Sequence, residues 1–74
     1  MNLTDIKANQ EAMVTAVIGT DTIANRLMEM GIVPGVSVRV IKAAPFGDPI
    51  EVRLLGYNLA LRRNEAAMIS VAKV

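Results

Sequence analysis

The sequence predicts a mainly β protein, a small antiparallel five-stranded barrel with one short α-helix inserted between the first and second strands. Three observations lead there. Short stretches of period-two apolar alternation recur along the chain, separated by Gly- and Pro-bearing turns and with no long crossover between them. A single segment, Thr20 to Met30, interrupts that rhythm with apolar residues at helical spacing. The apolar fraction is 53% while aromatics make up only 3%, so the core has to be assembled from Val, Ile, Leu, Ala and Met. Seventy-four residues amount to one domain, 1–74, near the lower size at which one core holds itself together.

In chain order, Leu3-Thr4-Asp5-Ile6 reads as one short turn that packs Leu3 and Ile6 against the body, and Asn9-Gln10 lead into the first strand. From Glu11 to Ile18, Ala12, Val14, Ala16 and Ile18 form one face and Met13, Thr15 and Val17 the other. Apolar residues on both faces point either to a bulge that turns Val17 inward or to partial cover of the outer face by another element or a partner. Gly19 ends the strand. Thr20 and Asp21 each offer an N-cap oxygen, and Ile23, Leu27 and Met30 then fall at i, i+4, i+7 on one helix face. Gly31, in the left-handed conformation at C′, stops the helix and makes Ile32 the C″ residue, whose apolar contact with Leu27 at C3 accompanies a Schellman cap. Pro34 and Gly35 suit the second and third positions of a type II turn over Val33 to Val36. Beyond it Val36, Val38 and Val40 alternate with Ser37, Arg39 and Ile41, a strand with one buried face.

Lys42 to Pro49 holds two prolines and a glycine and reads as a loop. Ile50, Val52 and Leu54 then alternate with Glu51, Arg53 and Leu55. Matching buried faces across the hairpin favours the register with Arg39 opposite Glu51, because Arg39 opposite Arg53 is a like-charge pair costing a few tenths to about 1 kcal/mol. Gly56-Tyr57 reads as a two-residue type II′ loop, which sets Leu54 opposite Leu59, Val52 opposite Leu61 and Glu51 opposite Arg62. Arg63 to Ala66 is one polar helical turn, and Ala67 to Val71 is the closing strand. These elements build best into a small barrel of SH3-like type, whose closure hides the strand edges.

The composition narrows the chemistry. With no Cys and no His, the chain lacks disulfides, thiolate ligands and the commonest general base. No nucleophile stands with a base to activate it, so no catalytic residue is assigned and a non-enzyme is expected. A net charge of +1 and scarce aromatics oppose nucleic-acid binding. No apolar run approaches a membrane span and the first residues lack a secretory n-region, so a cytoplasmic protein without membrane insertion is expected. The oxygen ligands Asp5, Glu11, Asp21, Glu29, Asp48, Glu51 and Glu65 show no metal-loop spacing, and neither a metal site nor a cofactor is assigned.

What remains is surface. Phe46, the one Phe, lies in a Pro-bounded loop after Pro45, where it is either a solvent-facing anchor or a lid on the barrel end. Met28 lies beside the buried helical stripe and, with Met13 and Leu55, is either part of an exposed apolar patch or core and scattered surface. Arg39, Arg53, Arg62 and Arg63 form either a phosphate-binding strip or, with Glu51 among them, a charge-laced sheet face. Arg26, Arg62 or Arg63 could also serve as a finger towards a GTPase.

Taken together, Leu27-Met28-Glu29-Met30-Gly31-Ile32-Val33-Pro34-Gly35, Ala44-Pro45-Phe46-Gly47-Asp48-Pro49 and Ala60-Leu61-Arg62 resemble, in order and over nearly the whole chain, the FeoA family. The resemblance implies an SH3-like fold and a cytosolic accessory module of ferrous iron uptake, acting by contact with the GTPase-bearing part or the membrane part of a FeoB-type transporter. Met28, Pro45, Phe46, Leu55 and Arg62 are the expected contact residues, and weak homo-oligomerisation is compatible with them. The resemblance also implies a Gly opening the first strand, where this chain has Asn9. The same fold resembles the C-terminal domain of diphtheria-toxin-repressor-type metalloregulators. The alternative it implies is a free-standing metal-sensing domain that binds a transition metal ion.

Overall fold

In the computed structural model, which describes residues 1–74, five antiparallel strands form a single sheet. They are β1 (Glu11–Val17), β2 (Ser37–Ala43), β3 (Ile50–Leu54), β4 (Tyr57–Leu61) and β5 (Ile69–Lys73), in the spatial order β4-β3-β2-β1-β5. The helix α1 (Asp21–Glu29) is inserted between β1 and β2, as the periodicity predicts, and a single turn, α2 (Arg63–Ala66), joins β4 to β5. One cluster of 15 buried residues fills the interior, aliphatic throughout, with Leu3, Leu27, Ile32, Leu61 and Ile69 its largest fully enclosed side chains.

The stop at the end of α1 has the expected geometry. Gly31 takes φ 98°, its N–H donates to Met28 O at 3.0 Å, and the Ile32 N–H donates to Leu27 O at 3.0 Å, the two bonds of a Schellman cap. Leu27 and Ile32 are both fully buried, while Ile23 and Met30 pack partly buried against the core. At the other end Thr20 is the N-cap residue, yet neither its hydroxyl nor Asp21 caps a backbone N–H. The turn after α1 closes with Val36 N–H on Val33 O at 3.2 Å and Gly35 at φ 95°, as a type II turn requires.

The first strand resolves the two-faced pattern through a bulge. The β1–β5 register shifts between Val14 and Ala16, so Val17 turns inward against the core. Ile18, expected on the buried face, lies beyond β1 and is exposed. Asn9 takes φ 68°, which explains how it stands where a Gly was expected: Asn is among the few residues that tolerate the left-handed region.

Both hairpins depart from the expected registers. Arg39 faces Arg53, not Glu51. The like-charge cost is avoided because the two guanidinium groups turn apart. Arg39 reaches Glu11 Oε1 at 3.2 Å on β1, and Arg53 donates to Asn58 Oδ1 at 2.9 Å on β4. A second bulge, between Val40 and Lys42, lets β2 continue to Ala43, shortens the loop to Ala44–Pro49 and sets Lys42 opposite Glu51. In the β3–β4 hairpin the loop is Leu55-Gly56, not Gly56-Tyr57. Leu54 therefore faces Tyr57, Val52 faces Leu59 and Glu51 faces Ala60, in place of Leu59, Leu61 and Arg62. Both loop residues have positive φ, 49° and 84°, as a type I′ turn demands, and Leu is an uncommon residue in that position. Leu55 is held there by tertiary contact, since its side chain lies against Gly31 and the neighbouring Tyr57 donates its hydroxyl to Met30 O.

Closure differs as well. β4 and β5 end the sheet order without pairing to each other, and α2 spans the gap between them. β5 starts at Ile69, two residues later than expected, because Ala67 and Met68 complete the turn. Within α2, Glu65 is only 7% exposed. Its Oε1 accepts the Arg62 N–H at 2.9 Å, and its Oε2 forms an ion pair with Arg26 of α1 and has no other partner.

Three outcomes follow from this packing. Gly31→Ala is expected to lose about 1–3 kcal/mol in urea unfolding, since a Cβ there sits 2.9 Å from Leu55 Cδ1 on a backbone that L-residues avoid. Leu55→Asn is expected to raise the free energy of urea unfolding by about 0.5–1 kcal/mol, because the side chain is 68% exposed and Asn relieves the left-handed strain. Arg26→Ala strands the buried Glu65 oxygen, and because Arg26 is 58% exposed and partly screened the expected loss is about 1–2 kcal/mol by differential scanning calorimetry.

Candidate protein-interaction site

The Ala44–Pro49 loop is a braced platform. Gly47 N–H donates to Ala44 O at 2.7 Å and Ala44 N–H to Pro49 O at 2.9 Å, so the loop closes on itself. Asp48, which the sequence explains as a turn residue, also accepts the Arg63 backbone N–H at 2.9 Å and so ties the loop to the first residue of α2. The platform carries Pro45, which is exposed, and Phe46, which is 99% exposed. Of the two readings of Phe46, lid or anchor, the lid is ruled out.

A second apolar surface forms where the β3–β4 turn meets the end of α1. Leu55 lies on Gly31, Tyr57 reaches Met30 O, and Met28 is exposed one turn back along the helix. Met13, grouped with Met28 and Leu55 from the sequence, is also exposed but stands between Ser37 of β2 and Ala72 of β5, so that β2 and β3 intervene in the sheet before the Leu55 turn. The structure thus relates Leu55 to the end of the helix and sets Met13 elsewhere on the sheet.

The arginines are largely engaged. Arg39 pairs with Glu11, Arg53 with Asn58, Arg26 with Glu65, and Arg63 Nη1 approaches Gly47 O at 3.5 Å. Glu51 accepts from Asn58 at 3.1 Å and lies 3.9 Å from Lys42, and it stands opposite Lys42 and Ala60, not between Arg39 and Arg62 as expected. Arg62 is exposed and its guanidinium enters no ion pair. A shallow cleft of about 290 Å³ is lined by Gln10, Glu11, Arg39, Lys73 and Val74, with Glu11 and Arg39 already satisfying one another. No three carboxylates converge as a ligand set, and no helix is long and apolar enough to cross a membrane. What the surface offers is side chains for contact: Phe46 and Pro45 on one braced loop, Leu55 and Met28 around the end of α1, and an unpaired cation at Arg62.

Sequence reasoning missed the inward turn of Glu65 towards Arg26 and the bond from Tyr57 to Met30 O. Glu65 stands three residues after Arg62, the spacing of a capping box, which was the signal for its inward turn. The Tyr57 hydroxyl bond crosses 27 positions of sequence and left no local mark.

Comparison with known proteins identifies the family. The FeoA domain model matches residues 1–73. A Porphyromonas gingivalis protein described as an Fe(2+) transport protein A/Fe(2+) transporter FeoB fusion is 37% identical over 71 residues, which are 96% of this chain, and the chain spans 8% of that protein's length. The solution structure of FeoA from Chlorobium tepidum superposes with a TM-score of 0.93 at 43% identity, covering all of this chain and 70% of that one. The crystal structure of Stenotrophomonas maltophilia FeoA complexed with zinc, described as a prokaryotic SH3 domain protein, superposes with a TM-score of 0.85 at 35% identity, covering 96% of this chain and 88% of that one. With the family model matched over residues 1–73 and these relatives agreeing with it in sequence and fold, the chain belongs to the FeoA domain family, associated with ferrous iron transport.

Proposed function

We propose that this chain is a non-enzymatic, cytoplasmic accessory module of FeoB-type ferrous iron uptake, a single domain that acts by contact with the GTPase-bearing part of the transporter. The observation that carries the reading is the P. gingivalis relative, in which the homologous segment is joined to FeoB in one polypeptide. A covalent link keeps two modules at high effective concentration, and it favours partners that also meet when they are separate. The surface supports the reading. Phe46 and Leu55 are large exposed apolar side chains on supports that do not have to be ordered on binding, which lowers the entropic cost of association. Met28, Pro45 and Arg62 complete the proposed contact set, with Arg62 providing the charged rim.

The zinc complex of the S. maltophilia relative favours a second reading, direct metal sensing. In this chain that reading would rely on scattered carboxylates, because the structure assembles no group of three ligands.

One titration separates the two. The ¹⁵N-labelled chain is followed by NMR on addition of the soluble G-domain of its FeoB, with and without a GTP analogue, and separately on addition of ferrous and manganous ions. Saturable shifts at Met28, Phe46 and Leu55 with the G-domain are the expected result. Phe46→Ala is expected to unfold within about 0.5 kcal/mol of the parent chain and to weaken that binding by roughly tenfold or more. A silent G-domain titration with broadening at discrete carboxylates would replace the first reading by the second.

A further inference from the structure

The sheet has two ends, and only one is covered. Along β5, the Val71 N–H donates to Met1 O at 3.0 Å and Asn2 bridges to Ser70, so the N-terminal residues shield that edge. Along β4 no segment does so. The Leu55-Gly56 loop makes Leu54 and Tyr57 the first hydrogen-bonded pair, which turns the backbone N–H and C=O groups of Tyr57, Leu59 and Leu61 towards β3. Those of Asn58 and Ala60 point away from the sheet. Neither residue's backbone makes a hydrogen bond to any turn, loop or cap, and both residues are exposed.

Open edges are normally blunted by Pro, by charged side chains or by a bulge. Tyr57-Asn58-Leu59-Ala60-Leu61 has neither Pro nor charge, and its register with β3 runs without a shift. The contrast with β5, where the chain spends its own N-terminus on cover, makes the bare edge a feature of the fold.

We propose that β4 is a self-association edge, at which a second copy of this chain pairs antiparallel, β4 to β4, about a two-fold axis at Leu59. The register is self-complementary. Centring on Leu59 sets Asn58 opposite Ala60 of the second copy, and the symmetry repeats that pair, so every outward N–H and C=O of Asn58 and Ala60 meets its counterpart. Tyr57 then stands opposite Leu61 of the second copy, and Leu59, only partly buried in one chain, meets its symmetry mate. Charge allows it too: Arg62 falls opposite Gly56 of the second copy and not opposite its own mate, and Glu51 and Arg53 remain one strand back with their Lys42 and Asn58 partners. The two sheets become one continuous sheet. An interface of one short strand per copy is small, so the association is weak and reversible. It stands independently of the transporter reading.

The test is sedimentation velocity of the chain from tens of micromolar to about one millimolar, together with NMR of a mixed-isotope sample. Expected are a concentration-dependent rise in sedimentation coefficient, shifts led by the Asn58 and Ala60 amides, and intermolecular contacts between these two residues. Ala60→Pro deletes an outward N–H without touching the β3 ladder, and Ala60→Lys keeps the backbone but places a charge on the edge. Each is expected to weaken self-association by about tenfold or more with an unchanged circular dichroism spectrum. Should Ala60→Pro fail to fold, Ala60→Lys decides. A chain that stays monomeric at the highest concentration, or a dimer that Ala60→Lys leaves intact, would overturn the proposal.

Discussion

The left-handed backbone at Gly31 is the constraint on which the remaining structure depends. It stops α1 in one residue, seals Leu27 against Ile32 at the core, and redirects the chain into the turn that launches β2. Because the position has no Cβ, the Leu55 side chain can also settle against it, and the β3–β4 turn docks on the end of the helix. Tyr57 completes that junction through the Met30 carbonyl, which the Schellman geometry leaves accessible. One glycine thus joins the helix, the central strands and the surface carrying Leu55 and Met28.

Much of the fold was legible because its signals are local. The Schellman stop, the Pro34-Gly35 turn, the alternation of β2 and the short turn at Leu3 each lie within a few residues, where backbone preference and apolar spacing act directly. The β-registers were not legible, since they depend on balances that sequence does not display. The preference for Arg39 opposite Glu51 rested on a pair energy that is small at an exposed site, and the structure satisfied both arginines elsewhere. A bulge at β2 then changed the parity that the argument assumed. The β3–β4 loop was misplaced by one residue because Leu is a poor type I′ residue, and the contact with Gly31 that compensates it is distant in sequence.

The candidate surface was legible in part. Phe46, Met28 and Leu55 stood out as apolar residues without an assigned place in the core, and all three are exposed. Their supports could not be read. The Asp48–Arg63 bond and the Arg26–Glu65 pair join segments 15 and more residues apart and rely on a carboxylate turning inward from a polar turn. Together they connect the Phe46 loop to α2 and α2 to α1, so that the exposed aromatic is carried by a braced frame and not by a free loop. Rigid presentation of apolar side chains lowers the entropic cost of any contact they make, which is the physical basis of the proposed role.

The Tyr57 bond has a spectroscopic consequence. The chain contains no Trp, a single Tyr and a single Phe, so emission excited in the tyrosine band, beyond the absorption of Phe46, arises from one phenol seated at the seam between α1 and β4. Fluorescence therefore follows the opening of that seam and is blind to the aliphatic interior, where loss of packing must be followed through methyl groups or amides. The molecule carries a built-in reporter for the junction at which helix, turn and strand edge meet.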